Sequence, residues 1–133
     1  MIVVDTSALL ELLLNTPSAS PIAARVLDPR ETLHAPHLLD VEIAQVLRRY
    51  VRARQLDAAR AAEALEDLAD LPLARYPHEV LLRRIWALRD NLTAYDAAYF
   101  ALAEALGATL VTCDSALASV PGSKVTVDLF RGG

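Results

Sequence analysis

Short apolar segments alternate along this chain with longer segments in which apolar residues recur at helical spacing. Residues 2–4 and 108–113 are the clearest short segments, and 32–35, 71–76 and 125–130 have the same character. Each has the length of a strand rather than of a stable helix. Strands joined through helices pair in parallel, and a parallel sheet is covered on both faces. The pattern therefore predicts an α/β fold, a three-layer α/β/α sandwich with a mainly parallel central sheet.

Helical spacing and capping residues predict what lies between these strands. The first helix follows a cap at Thr6 or Ser7 and runs to Leu14. Another starts after Thr93 and ends at Gly107, the residue type that most readily adopts a left-handed conformation after a helix. The remaining helices are expected to end near residue 27, to run from about 36 past 50, and to cover about 57–69 and 78–89.

The length and composition of the chain fit one folded unit. It has 133 residues, of which 54% are hydrophobic, and no linker or repeat, so a single domain over 1–133 is expected. Charged residues interrupt every long apolar stretch, so no membrane span is expected. The start lacks the pattern of a secretory signal, which indicates a cytoplasmic protein. The single Cys113 has no disulfide partner within the chain and is interpreted as a small buried hydrophobic residue.

The charge balance narrows the ways in which the chain could meet nucleic acid. A formal net charge of −4 excludes a protein that coats nucleic acid by bulk electrostatic attraction, but it does not exclude a nuclease. Arginines cluster at 48–54 and 83–89, and arginine is the side chain best suited to bidentate phosphate contacts. Arg49, two helical turns after Glu42, is the leading candidate for a phosphate contact. A solvated charged face is the alternative explanation for each arginine.

Two aspartates stand directly after predicted strands. Asp5 follows residues 2–4, and Asp114 follows 110–113. The carboxyl ends of parallel strands share one edge of the sheet, where ligands of open α/β sheets bind, so the two carboxylates are expected to lie close together. The alternative is that each aspartate only caps a following helix. The occurrence of both favours a functional edge.

Two further acids lie on predicted helices. Asp96 comes three residues after Thr93, where a side chain can reach back to the cap, but Glu or Gln is usual in that role and the surroundings are apolar. Glu42 lies in the second turn of its helix, where a glutamate is ordinarily a solvated surface residue, and Asp40 is a nearby alternative. Apolar neighbours and the position of Arg49 on the same helix face favour Glu42.

Four carboxylates gathered at one sheet edge would repel one another unless a cation were present. Carboxylates without His or Cys favour a hard ion such as Mg²⁺ or Mn²⁺, which also accepts substrate phosphate oxygens as ligands. The sequence therefore predicts a metal-dependent enzyme that cleaves phosphodiesters. Its predicted catalytic and metal-binding residues are Asp5, Glu42, Asp96 and Asp114.

These acids belong to a recognisable pattern of four motifs that spans nearly the whole chain in order. The chain resembles the PIN-domain nucleases, in particular the VapC-type toxins of bacterial toxin–antitoxin pairs. The first and third motifs are the most specific, and the motif around Glu42 is loose. The motifs are Ile2-Val3-Val4-Asp5-Thr6-Ser7-Ala8-Leu9, Glu42 on a mid-chain helix, Leu92-Thr93-Ala94-Tyr95-Asp96-Ala97-Ala98-Tyr99, and Leu110-Val111-Thr112-Cys113-Asp114.

The resemblance implies an α/β/α sandwich with an acidic pocket that cleaves RNA through a metal-activated water. In that family the acids matching Asp5, Asp96 and Asp114 bind Mg²⁺ or Mn²⁺ directly or through water. The glutamate matching Glu42 helps to position the metal or the water.

The resemblance also implies assisting groups and partners. A hydroxyl after the first aspartate often assists, which here is Thr6 or Ser7. Such toxins usually form homodimers and are silenced by a small antitoxin that packs on apolar helices. The alternative from another class is a catalytically silent PIN-like module that binds a partner or RNA, and the complete set of acids argues against it.

Overall fold

The computed structural model describes residues 1–131 and contains a five-stranded sheet within them. The strands, in chain order, are β1 (Ile2–Val4), β2 (Leu33–Pro36), β3 (Leu73–Tyr76), β4 (Thr109–Thr112) and β5 (Val127–Leu129). They lie side by side in the order β3-β2-β1-β4-β5, and every neighbouring pair is parallel. The predicted parallel sheet is confirmed. The last two residues of the predicted domain, 132 and 133, lie outside the described residues.

The helices coincide closely with the segments of helical periodicity. None of those within residues 1–131 has both the length and the apolar character that crossing a bilayer requires. In chain order they are α1 (Thr6–Leu13), α2 (Ala19–Val26), α3 (Leu38–Arg52), α4 (Ala58–Asp70), a 3₁₀ turn (Glu79–Leu81), α5 (Leu82–Ala87), α6 (Ala94–Leu106) and α7 (Ser115–Ala118).

The connections between strands change direction in the middle of the sheet. From β1 the chain moves outward to β2 and β3, and it then returns to β4 on the other side of β1. Right-handed crossovers therefore put α1 to α4 on one face and α5 and α6 on the other. The contacts among the helices agree, because α1 packs on α2, α3 and α4, whereas α6 packs on α5. Ligands of such sheets bind where the strand order reverses, at the carboxyl ends of β1 and β4.

The core lies around the central strands and α6. Every residue of β1 is fully buried, and so are Leu110 and Val111 of β4. Helix α6 is buried almost all round, from Ala97 to Ala103, because it lies between the sheet and α5. Phe100, which is fully buried, is among the largest side chains of this core. Its replacement by alanine would cost about 3–5 kcal/mol of stability.

Two local predictions need correction, and one short helix is additional. The first helix is capped by Asp5 rather than by Thr6 or Ser7: the backbone of Asp5 is extended, and its carboxylate accepts a hydrogen bond from the Ala8 N–H. The helix predicted over 78–89 begins as a 3₁₀ turn and is α-helical only over Leu82–Ala87. Helix α7 was not predicted, since four residues are too few to show a period.

Candidate active site

An open cavity of about 350 Å³ lies at the point where the strand order reverses. Its walls come from β1, α1, α3, α6 and the end of β4, and all four predicted acids line it. The structure thus brings together side chains that are up to 109 positions apart in the chain. The cavity is lined chiefly by Asp5, Thr6, Ser7, Glu11, Glu42, Arg49, Asp96, Tyr99, Cys113 and Asp114.

Asp5 is the most enclosed of the acids, with 4% of its surface exposed. Its Oδ1 accepts hydrogen bonds from Ser7 Oγ (2.7 Å) and from the Ala8 N–H (3.0 Å), and its Oδ2 accepts one from Thr112 Oγ1 (2.5 Å). Burial raises the pKa of Asp5, and the charge of Asp114 adds to that effect, while the three donors oppose it. Asp5 is therefore both a helix cap and an oriented member of the site.

Two hydroxyls fix Asp5 relative to the segment that carries Asp114. Ser7 Oγ donates to Asp5 and accepts a hydrogen bond from the Cys113 N–H (2.9 Å). Thr112 Oγ1 donates to Asp5 and accepts one from the Asp114 N–H (2.9 Å). Each hydroxyl uses its single proton on the carboxylate and its lone pairs on the backbone. The ends of β1 and β4 are thereby tied together through the acid itself.

Glu42 is held from two other elements. Its Oε1 accepts hydrogen bonds from Thr6 Oγ1 (3.0 Å) on α1 and from the Tyr99 hydroxyl (2.5 Å) on α6. The alternative acid on this helix, Asp40, is not in the cavity. It forms a two-point ion pair with Arg75, at 2.7 and 3.0 Å. The structure therefore favours Glu42 over Asp40.

Asp96 and Asp114 are half-buried and receive fewer hydrogen bonds. Asp114 caps α7, since its Oδ1 accepts from the Ala116 N–H at 2.9 Å. Asp96 lies in the first turn of α6, whose predicted cap is confirmed: Thr93 Oγ1 accepts from the Asp96 N–H at 3.1 Å. Within residues 1–131 the carboxyl group of Asp96 has a side-chain hydrogen bond with Asp114 and none with Thr93, so no reciprocal capping box forms. Burial first, and then the charge of Asp114, raise the pKa of Asp96 to about 6.

The arginines predicted near the site separate by position. Arg49 lines the cavity and is exposed, so it is free to meet a ligand there. Arg48 and Arg52 lie instead along a groove between α3 and α4. Arg84 pairs with Glu104 at 2.7 Å, and the guanidinium of Arg89 stacks on the ring of Trp86 at 4.8 Å.

Several residues of the cavity were missed or misjudged from the sequence. The sequence places Tyr99 inside a helix and Thr112 inside a strand and predicts no role for either side chain. In the structure the hydroxyl of each donates a hydrogen bond to a predicted acid, Tyr99 to Glu42 and Thr112 to Asp5. Glu11 also lines the cavity, and its spacing of four from Ser7 could have indicated a shared helix face. Cys113 is only partly buried and lines the cavity, where burial raises the pKa of its thiol to about 11. It is therefore a neutral thiol at pH 7.

The chemistry of these side chains fits a hard divalent cation. No group of three His, Cys, Asp or Glu side chains anywhere in the described chain, 1–131, already has the spacing of a metal cluster. The donors that line the cavity are nonetheless carboxylate and hydroxyl oxygens, the ligand type that Mg²⁺ and Mn²⁺ prefer, often through retained waters. Burial is the main cause of the raised pKa of Asp96, and the charges of Asp114 and Asp5 raise it further, as expected where several carboxylates share one cavity.

Comparison with known proteins finds similar chains by sequence and by fold. A family model described as the PIN domain matches residues 2–123. Ribonuclease VapC9 of Mycobacterium tuberculosis is 50% identical over 114 residues, which are 86% of each chain. Ribonuclease VapC1 of that organism is 42% identical over 130 residues, 97% of each chain. The solved structure of VapBC2 from Rickettsia felis, bound to a DNA fragment from their promoter, shares the fold: the TM-score is 0.72 at 14% identity, covering 98% of this chain and 100% of that one.

Proposed function

The chain belongs to the PIN domain family, and from that premise we propose that it is a metal-dependent endoribonuclease, the toxin of a toxin–antitoxin pair. The observation that carries the proposal is the convergence of four carboxylates, from four separate segments, in one open cavity at the carboxyl edge of the sheet. Its identity to curated VapC ribonucleases over most of both chains supports RNA as the substrate.

In this proposal the four acids have two different roles. Asp5, Asp96 and Asp114 hold Mg²⁺ or Mn²⁺, and Glu42 positions the ion or its water. A bound ion of this kind supplies an activated water as the nucleophile and stabilises the charge that develops on the phosphate.

Neighbouring side chains orient these acids and the substrate. Ser7 and Thr6 act through the acids, since their hydroxyls donate to Asp5 and to Glu42 respectively. Arg49 binds a phosphate of the RNA beside the acidic cavity, because its guanidinium is exposed on the cavity wall.

A cleavage assay tests the proposal. A labelled RNA is incubated with the protein and Mg²⁺ or Mn²⁺, with and without EDTA, and the parent is compared with Asp5→Asn. Asp67→Asn is the matched control, because Asp67 is exposed on α4 and lies outside the cavity. We expect cleavage only with metal, and loss of cleavage in Asp5→Asn alone. RNA binding without cleavage would favour the silent PIN-like module, and cleavage in EDTA would contradict the mechanism.

We also propose an antitoxin as the protein partner. An apolar groove of about 460 Å³ between α3 and α4 is lined by Leu47, Val51 and Leu65, with Arg48 and Arg52 among them. An antitoxin segment with apolar residues beside Asp or Glu would complement both features. The substitution Leu65→Glu should weaken inhibition by the cognate antitoxin and leave cleavage by the free toxin unchanged. Strong inhibition of that variant would place the antitoxin elsewhere.

The remaining features of the proposal are a single domain over residues 1–133, a homodimer and a cytoplasmic location, where RNA and antitoxin are found together. Large apolar side chains stand exposed near the cavity and on α5, including Val41, Tyr95 and Trp86 at 62–68% exposure. Surfaces of this kind are typical of protein interfaces. Light scattering during size-exclusion chromatography should give twice the mass of one chain, and a monomer at micromolar concentration would contradict the homodimer.

A further inference from the structure

Three oxygens from three helices meet at Glu42. The Tyr99 hydroxyl lies 2.5 Å from Glu42 Oε1, Thr6 Oγ1 lies 3.0 Å from the same oxygen, and the two hydroxyl oxygens lie 3.0 Å apart. Thr6 belongs to α1, Glu42 to α3 and Tyr99 to α6. Because α6 covers the opposite face of the sheet from α1 and α3, this triangle ties the two helical layers together at the edge that carries the acids.

Proton counting fixes how the carboxylate is used. A hydroxyl has one proton to donate, and an ionised carboxylate can only accept. The two hydroxyls have two protons for three short contacts, and whether Thr6 donates to Oε1 directly or to the Tyr99 hydroxyl, which then donates to Oε1, the oxygen that accepts is Oε1. Within the described residues no donor to Oε2 is recorded, although Glu42 lines the cavity. The protein thus occupies one oxygen of this carboxylate and leaves the other to the cavity.

Tyr99 is well placed to keep Oε1 of Glu42 hydrogen-bonded while Oε2 faces the cavity. Only 1% of its surface is exposed, so its ring cannot turn away without a rearrangement of the core. It follows Asp96 by three residues, which puts both side chains on the same face of α6. A hydroxyl on so rigid a support holds its partner with little conformational freedom, whereas the partner, a glutamate, has three rotatable bonds to restrain.

We infer that Tyr99 is a positioning residue: with Thr6 it holds Oε1 of Glu42, so that Oε2 is the single oxygen which this residue presents to the metal ion or its water. This inference rests on the proposed metal-dependent nuclease function. It extends that proposal by assigning the orientation of Glu42 to a buried tyrosine on the opposite helical layer. Tyr99 is not itself a catalytic residue, because it acts through Glu42.

The test compares two variants, in each of which a single tyrosine loses its hydroxyl group. Tyr99→Phe removes the donor to Glu42 and keeps the ring. Tyr76→Phe is the matched control, since the Tyr76 hydroxyl bonds the His34 ring nitrogen Nδ1 at 2.6 Å and does not line the cavity. Binding of Mn²⁺ alone is measured from the electron paramagnetic resonance signal of the free ion. Removal of a group that orients a metal ligand typically weakens affinity about 10–100-fold, so we expect at least a tenfold loss in Tyr99→Phe and less than about a twofold change in Tyr76→Phe.

The kinetic constants for RNA cleavage provide a second measurement. In single-substrate kinetics with RNA, Tyr99→Phe should lower kcat by about tenfold or more and leave KM within about twofold, because the phosphate contacts are untouched. A purely structural role would instead lower the melting temperature of both tyrosine variants and leave Mn²⁺ affinity and kcat of the folded protein intact. That result would overturn the inference.

A double substitution shows whether Tyr99 acts through Glu42. In a Glu42→Gln background, Tyr99→Phe should change Mn²⁺ affinity by less than about twofold, because the orienting bond no longer has a carboxylate to serve. An equal loss in both backgrounds would contradict the inference while leaving the nuclease intact. If the parent itself neither binds Mn²⁺ nor cleaves RNA, the proposed function fails and this inference fails with it.

Discussion

The two halves of the acidic cavity are built differently. Asp5 and Glu42 together accept five hydrogen bonds, four of them from the hydroxyls of Ser7, Thr112, Thr6 and Tyr99. Asp114 accepts one from a backbone N–H, and within residues 1–131 the side-chain hydrogen bond of Asp96 is with Asp114, another acid. The protein orients the first pair of acids with its own hydroxyl groups, whereas no hydroxyl group orients the second pair within the described residues.

The difference in hydrogen bonding between the two halves separates acids that stabilise the metal-free fold from acids that destabilise it. Hydrogen bonds to a buried carboxylate favour its charged form and rigidify it. A carboxylate beside another carboxylate, without such donors, makes the folded protein less stable at neutral pH until a cation binds. Substitutions in the two halves should therefore have opposite effects on the metal-free protein and the same effect on cleavage.

The largest expected effect is loss of cleavage when an acid of either half is neutralised. Asp5→Asn and Asp96→Asn should each lower kcat/KM by more than about 100-fold, since groups that only orient a metal ligand already account for about 10–100-fold. The measurement is cleavage of a labelled RNA at saturating Mn²⁺. Near-normal cleavage by Asp96→Asn would mean that the second half is not needed, and the comparison between the halves would lose its functional meaning.

Thr112→Val tests the oriented half at nearly constant volume. Thr112 is fully buried, and its hydroxyl bonds both the Asp5 carboxylate and the Asp114 N–H. Valine would leave both groups short of a partner, so the free energy of unfolding should fall by about 1–3 kcal/mol. Mn²⁺ affinity should fall about tenfold. Urea denaturation and Mn²⁺ titration measure the two quantities, and unchanged stability would show that these bonds do not hold the edge together.

Asp96→Asn should have the opposite effect on stability. The pKa of Asp96 is raised from 3.8 to about 6, so the folded state binds its proton more tightly than the unfolded state does. In the metal-free protein the contribution of this group to the free energy of unfolding therefore falls as pH rises from about 3.8 to about 6. At pH 7 the variant should be more stable by about 1 kcal/mol, allowing for solvent screening, or about 3–5 °C in Tm.

The pH profile of that difference provides the control. The gain in Tm of Asp96→Asn over the parent should shrink below pH 6, where Asp96 itself becomes protonated, and saturating Mn²⁺ should abolish it at pH 7 by stabilising the parent alone. A variant that is less stable than the parent at every pH would show that burial of the Asp96 charge and its repulsion by Asp114 do not destabilise this half.

The smallest expected effect concerns Arg49, at the rim of both halves. Arg49→Ala should weaken RNA binding a few-fold, as expected for one exposed phosphate contact, and should reduce the salt dependence of binding by about one charge. Fluorescence anisotropy with a labelled RNA in EDTA measures this without cleavage. Arg84→Ala is the control, because Arg84 is engaged by Glu104 away from the cavity. Equal effects of the two substitutions would remove Arg49 from the site.

The sequence predicted the fold and the acids of the site better than the groups that hold them. Strands that end in Asp5 and Asp114 could be placed at one edge, because parallel strands share the direction of their carboxyl ends. The hydroxyls of Thr112 and Tyr99 could not be assigned, since a threonine in a strand and a tyrosine in an apolar helix are ordinary core residues. Their partners are far away in the chain, and only the folded structure brings them together.

Local rules left two roles open for Asp5, a place in a functional edge or the cap of the following helix, and they also offered Thr6 or Ser7 as that cap. Asp5 was predicted as a metal ligand, and Thr6 or Ser7 as the cap of the first helix. In the structure the Asp5 carboxylate performs the capping as well, which leaves both hydroxyls free to bond the acids. Apolar neighbours and Arg49 on the same helix face favoured Glu42 in the sequence but left Asp40 as an alternative, and the ion pair of Asp40 with Arg75 separates the two acids.

The most direct test of the central claim is to locate a cation in the cavity. Crystals grown with Mn²⁺ and measured at the manganese absorption edge should show an anomalous peak in the cavity, with at least two of Asp5, Asp96 and Asp114 bound to the ion directly, at about 2.0–2.3 Å, or through one water. An occupied Mn²⁺ site elsewhere on the protein together with an empty acidic cavity, in crystals of a protein that still cleaves RNA, would contradict the account.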